Sequence, residues 1–232
     1  MAKASSQHQS VAELLERSNR LGANPKNTNY AGGNTSAKGQ GIDPSSGEPI
    51  DLLWVKGSGG DLGTLKEAGL AVLQLDRVRA LKNVYRGVDT EDDMVAAFDY
   101  CLHGRGGAAP SIDTAMHALV DADHVDHLHP DSGIAIATSV DGEKLTAEAF
   151  GDKVVWVPWR RPGFQLGLDI AAIQRDRPEA IYIGGERMST ASGSGATHAR
   201  YIGRIGVMAV ALGIGRSCPR TSTRCNLANM RT

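Results

Sequence analysis

HVDHLHPD, residues 124–131, holds three of the seven histidines in a chain of 232 residues, with two aspartates among them. On a β-strand, side chains two apart share a face, so His127 and His129 would present both imidazoles to one side, near enough to grip one cation. His124, three residues before His127, would point to the other side. An isolated HxH reads more simply as two surface histidines on a polar strand. Here the apolar GIAIA that follows argues for a half-buried strand, and buried imidazoles need a partner such as a metal ion.

Outward from that strand, helices and strands alternate irregularly. QSVAELLERSNRLG (9–22) sets Val11, Leu14, Leu15 and Leu21 near one face before Gly22, an amphipathic helix. NYAGGNTSAKG is a turn opening a short strand. A second strand is expected around Leu52–Val55, followed by a glycine-rich loop. Residues 65–86 read as helical, with Leu75, Val78, Leu81 and Val84 at three-residue steps. DTEDDM places acids at the start of another helix, where the helix dipole favours them, and SIDTAMHALV is a third. After HVDHLH the apolar pattern continues through GIAIATS. KVVWVPW reads as a strand, QLGLDIAAIQRD as a helix and EAIYIGG as the last strand. The expectation is an α/β chain with a mixed sheet covered by helices.

Composition narrows the function. Charged residues make up 22% and the net charge is −1, so nothing global points to nucleic acid or a membrane surface. The N-terminus lacks the apolar core of a signal peptide, and VMAVALGIG is too short to span a bilayer, which makes the cytoplasm the expected location. Three cysteines without a CxxC pair make neither a disulfide framework nor a thiolate zinc site.

Two segments, GGNTSAK (32–38) and KGSGGDLGT (56–64), have the composition of anion-binding loops. Glycines let backbone N–H groups converge on a phosphate, and hydroxyls with Lys38 or Lys56 add donors. Neither fits GxxxxGK[ST] or GxGxxG. Asp113, in PSIDTAMH, reads alone as an acid at a helix N-cap or first turn. Beside a metal-bound hydroxy-ketone, the same carboxylate could take or give a proton while the metal holds charge on oxygen.

In this order, GGNTSAK, WVKGSGGDLGT, PSIDTAMH, VDHLHPD and AIYIGG resemble the class II aldolase/adducin family over about residues 10–185. The nearest resemblance is to the aldolase half of bifunctional rhamnulose-1-phosphate aldolase/alcohol dehydrogenases. It implies a three-layer α/β/α fold with a mixed, mainly antiparallel sheet. It also implies a homotetramer and zinc-dependent cleavage of L-rhamnulose 1-phosphate, a small sugar phosphate, to dihydroxyacetone phosphate and L-lactaldehyde. By the same resemblance His127 and His129 are two zinc ligands, Asp113 is the acid/base, and Asn34, Ser58, Gly59 and Ser111 contact phosphate. The family's third zinc histidine follows the last strand in GGHG; this chain reads GGERMS, which puts Glu186 there, and a carboxylate can ligate zinc. A 4-epimerase of the same family, or a non-catalytic adducin-like interaction module, are the alternatives. No NAD chemistry is expected from these residues.

The body and the tail differ. None of the 26 Asp and Glu residues, but seven of the 25 Lys and Arg, lie after Glu186, all seven being Arg. Residues 1–186 are therefore expected to form the aldolase-like domain, and 187–232 an anomalous acid-free tail that reads as out of frame or truncated. YIGRIGVMAVALGIG within it has the apolar content of a helix, weakened by four glycines.

Overall fold

The computed structural model describes residues 2–30, 32–104, 107–177, 181–184 and 209–213. Its strands are β1 (Asn34–Ile42), β2 (Pro49–Lys56), β3 (Leu70–Gln74), β4 (His124–Leu128), β5 (Val154–Val157), β6 (Ile181–Gly184) and β7 (Ala209–Gly213). They form a seven-stranded sheet in the order β3-β2-β1-β4-β7-β6-β5. Only β5 and β6 pair in parallel, so the sheet is mixed and mainly antiparallel, as expected.

The helices are α1 (Ala2–Gly22), α2 (Leu75–Ala80), α3 (Glu91–Ala97), α4 (Thr114–Leu119), α5 (Asp131–Ala137), α6 (Gly142–Phe150) and α7 (Phe164–Asp176). The strand period of two assigns them to opposite faces of the sheet. In β2, Leu52 and Trp54 pack with Val11 and Leu14 of α1. Their neighbours Leu53 and Val55 pack instead with Val78 of α2, Met94 of α3 and Ala115 of α4. In β5, Val157 joins Ile170 of α7, whereas Val154 joins Ala137 of α5. Helices thus cover both faces, giving three layers. Each of the fully buried leucine, isoleucine and valine side chains among these contributes about 2 kcal/mol.

Packing also fixes the helix that matters most for the site. The buried carboxylate of Glu91 accepts from the backbone N–H groups of Phe164 (2.5 Å) and Gln165 (3.0 Å) and from the Tyr85 hydroxyl (2.8 Å). It supplies partners for the otherwise orphaned first turn of α7, and α7 packs on α4 through Leu166, Ile170 and Met116.

Four stretches differ from the sequence expectation. Leu70–Gln74 is a strand rather than part of a helix; its short apolar run is settled by pairing with Leu52–Lys56, and helix begins only at Leu75. GIAIATS is mostly helix α5, because Pro130, at φ −68°, has no N–H to continue a ladder and is set for a helix start. Ala209–Gly213, inside the stretch read as a helix, is strand β7, and so follows the strand read as the last one. Helix α6 has no counterpart in the sequence reading. No helix among the described residues is long and apolar enough to cross a membrane.

Candidate active site

Strand β1 lies between β2 and β4, and its alternation builds the site's floor. Asn34, Ser36 and Lys38 face the α4 side. Register pairs Asn34 with His127 and Ser36 with Val125. A one-residue slip of β1 would carry all three polar side chains to the α1 face.

His127 and His129 converge as the HxH spacing predicts, although His129 lies one residue beyond the end of β4. Their Nε2 atoms are 2.9 Å apart and their rings 4.7 Å between centroids. Burial lowers both rings to about 4, with Lys56 adding to the effect on His127 and His127 to that on His129. Both are therefore neutral at pH 7, the state in which imidazole ligates metal. His129 fits because residue 32 is glycine; a Cβ there would run into His129 Nδ1. His124 lies on the opposite face with Asp126, whose carboxylate pairs with Arg17 of α1 at 3.0 Å.

Asp113 does occupy the N-cap position of α4, yet its side chain makes no capping hydrogen bond. It turns to Asn34, whose Nδ2 donates to Asp113 Oδ2 (3.2 Å) and to Ser111 Oγ (2.8 Å). Burial raises the Asp113 pKa above the usual carboxylate range, against the Asn34 hydrogen bond, His129 and Lys56. A carboxyl shifted in this direction suits proton exchange at neutral pH better than an exposed aspartate does.

One cavity of about 660 Å³ brings Asn34, Ser58, Gly59, Ser111, Asp113 and His129 together. Lys56, also on its wall, donates from Nζ to the carbonyls of Gly59 (2.8 Å) and Gly57 (3.3 Å). Because a trans peptide points its N–H opposite to its C=O, the Gly60 N–H is aimed away from the lysine. Gly59 and Gly60 sit at φ +75° and +72°, where a side chain would strain the turn. This loop has the donors and the cation an anion needs.

Lys38 is elsewhere. Its Nζ donates to the carbonyls of Val120 (2.8 Å) and Ala122 (2.5 Å), and GGNTSAK is largely strand rather than an anion loop. The sequence reading missed His117, which is fully buried in α4. Its Nδ1 lies 2.7 Å from Ser36 Oγ and its Nε2 3.1 Å from Asn34 Oδ1. The four-residue step from Asp113, one turn of helix, was the available signal.

The donor chemistry fits zinc in part: two neutral imidazoles converge, and Asp113 Oδ2 stands 3.7 Å from His127 Nδ1. Among the described residues no group of three His, Cys, Asp or Glu side chains is arranged to hold a metal ion. Glu186, the expected third ligand, and His198 lie outside the described residues.

Comparison with known proteins agrees with this architecture. The chain is 39% identical over 170 residues to the uncharacterized oxidoreductase YuxG of Bacillus subtilis (strain 168). The match covers 73% of this chain and 24% of that protein, so the chain spans about a quarter of that relative's length. In fold it is similar to the N-terminal class II aldolase domain of a conserved protein from Thermoplasma acidophilum. That likeness has a TM-score of 0.70 at 23% identity, over 87% of this chain and 82% of that one. Residues 12–211 match the sequence profile of the Class II Aldolase and Adducin N-terminal domain, and the chain belongs to that family.

Proposed function

We propose that the chain is a zinc-dependent class II aldolase acting on a ketose 1-phosphate, cleaving L-rhamnulose 1-phosphate to dihydroxyacetone phosphate and L-lactaldehyde. The observation that carries this reading is the convergence of the two neutral imidazoles 2.9 Å apart beside the buried Asp113 carboxyl, with the glycine loop in the same cavity. His127 and His129 would hold the metal, with Glu186 as the third ligand. Zinc, when bound there, supplies a Lewis acid for the charge that develops on the ketose oxygens. Asp113 takes or gives the proton at the reacting centre. Ser58, Gly59, Gly60 and Ser111 receive the phosphate, with Lys56 supplying the countercharge.

In this reading residues 1–186 supply most of the aldolase domain, β7 of the acid-free segment 187–232 completes its sheet, and the working assembly is a soluble, cytoplasmic homotetramer. Metal content of the gel-filtered chain, with retro-aldol assay on L-rhamnulose 1-phosphate, tests it. About one zinc per chain and aldehyde release are expected, both lost in His127→Ala. A folded chain that takes up no zinc, or one that inverts C4 without releasing aldehyde, would sink it.

A further inference from the structure

Asn34 is buried, and both ends of its amide are fully engaged within the protein. An amide offers two N–H donors and an oxygen with two lone pairs. Nδ2 meets Ser111 Oγ at 2.8 Å and Asp113 Oδ2 at 3.2 Å, and Oδ1 meets His127 Nδ1 at 2.9 Å and His117 Nε2 at 3.1 Å. All four positions are taken within the protein.

The orientation of the amide follows from its neighbours. Nδ2 donates to Asp113 Oδ2 and Ser111 Oγ, and that sets which way the amide lies. The oxygen end then faces two imidazole nitrogens. An oxygen cannot donate, so His127 Nδ1 and His117 Nε2 both carry their protons. The other nitrogen of the His117 ring, Nδ1, faces Ser36 Oγ at 2.7 Å, and that hydroxyl also reaches the Val125 carbonyl at 3.4 Å. Proton positions are thereby fixed at His117 Nε2 and at His127 Nδ1, both on the same oxygen.

The consequence falls on the far side of the His127 ring. A neutral imidazole protonated at Nδ1 has its lone pair at Nε2, the atom that faces His129. The geometry points to Asn34 as a tautomer clamp for His127: a positioning residue, itself held by His117 and Ser36, that keeps the metal-facing nitrogen bare. It ties that nitrogen to the Asp113 carboxyl through a single side chain. The value of the clamp to zinc rests on the aldolase reading, but the proton positions do not.

Two-bond ¹H–¹⁵N correlation spectra of the full-length ¹⁵N-labelled chain, before and after zinc is added, test this. His127 is expected as the Nδ1–H tautomer and His117 as Nε2–H already without metal, and Asn34→Leu should release His127 towards Nε2–H. Zinc affinity, by chelator competition, should fall about 10- to 100-fold in Asn34→Leu, as for loss of an outer-shell partner. His117→Gln, which retains an N–H for the Asn34 oxygen, should bind zinc closer to wild type than His117→Leu. Wild-type His127 protonated at Nε2, or a His127 pattern unchanged in a folded Asn34→Leu chain, would overturn the clamp. The wild-type spectrum is decisive even where a variant fails to fold. Tautomers as stated in a chain that binds no zinc would uphold the clamp and remove the aldolase reading.

Discussion

Segments 32–38 and 56–60 look alike in composition, each offering glycine, hydroxyl and lysine, yet the structure uses them in opposite ways. The first is mostly strand. Its side chains alternate, and Asn34, Ser36 and Lys38 all find partners within the protein. The second is a loop whose lysine gathers carbonyls and whose left-handed glycines line the cavity. Composition names the available donors; only pairing decides whether they turn to the protein or to a ligand.

Substitutions can break or sharpen that contrast. The largest effect is expected from Gly32→Ala, whose new Cβ would collide with the His129 ring. Zinc affinity should drop about 100-fold, the upper end for disturbing a ligand's surroundings, and the melting temperature should fall as well, because the same Cβ meets the Thr28 carbonyl oxygen. Zinc uptake equal to wild type would show that His129 has room to move.

Lys38→Met comes next. It strips two carbonyls of their donor, and folding stability should fall by about 2 kcal/mol in denaturant titration, with zinc binding intact. The pH dependence has a definite sign. Burial lowers the folded-state pKa of Lys38 from 10.5 to about 7, so between these values the unfolded chain takes up a proton that the folded one resists. Wild-type stability therefore declines as pH falls from about 10.5 to 7 and levels off below. The margin over Lys38→Met should be widest at alkaline pH and narrow towards neutrality; a margin that widens instead would refute the assignment.

Gly59→Ala should be the mildest. Its Cβ would meet nothing within 4 Å, leaving only the left-handed backbone cost of about 1 kcal/mol. A modest rise in KM, about fivefold, with kcat retained, is expected from steady-state kinetics. A loss comparable to Gly32→Ala would erase the distinction between the two segments.

What was legible in the sequence was local. The two-residue step from His127 to His129 survives any tertiary context, and the helix over 9–22 forms as a longer one. The hydrogen-bond partners of Asn34 were not legible, because they depend on the β1–β4 register that sets it against His127, 93 residues away. Leu70–Gln74 failed for a related reason: five mostly apolar residues carry no period of their own, and the neighbouring strand decides. GIAIATS misled because apolar content outweighed Pro130, and β7 because a short apolar run carries no period that separates strand from helix.

The position of β7 bears on how the chain is made. Strand β4, with His127, borders β1 on one side and β7 on the other, so during synthesis its second edge stays unpaired until residues 209–213 have left the ribosome. Contacts across that distance close slowly, and an open strand edge in a half-made sheet is a template for pairing with other chains. Nascent chains stalled before residue 209 should therefore depend on chaperones that shield strand edges, a dependence that ends once β7 is seated.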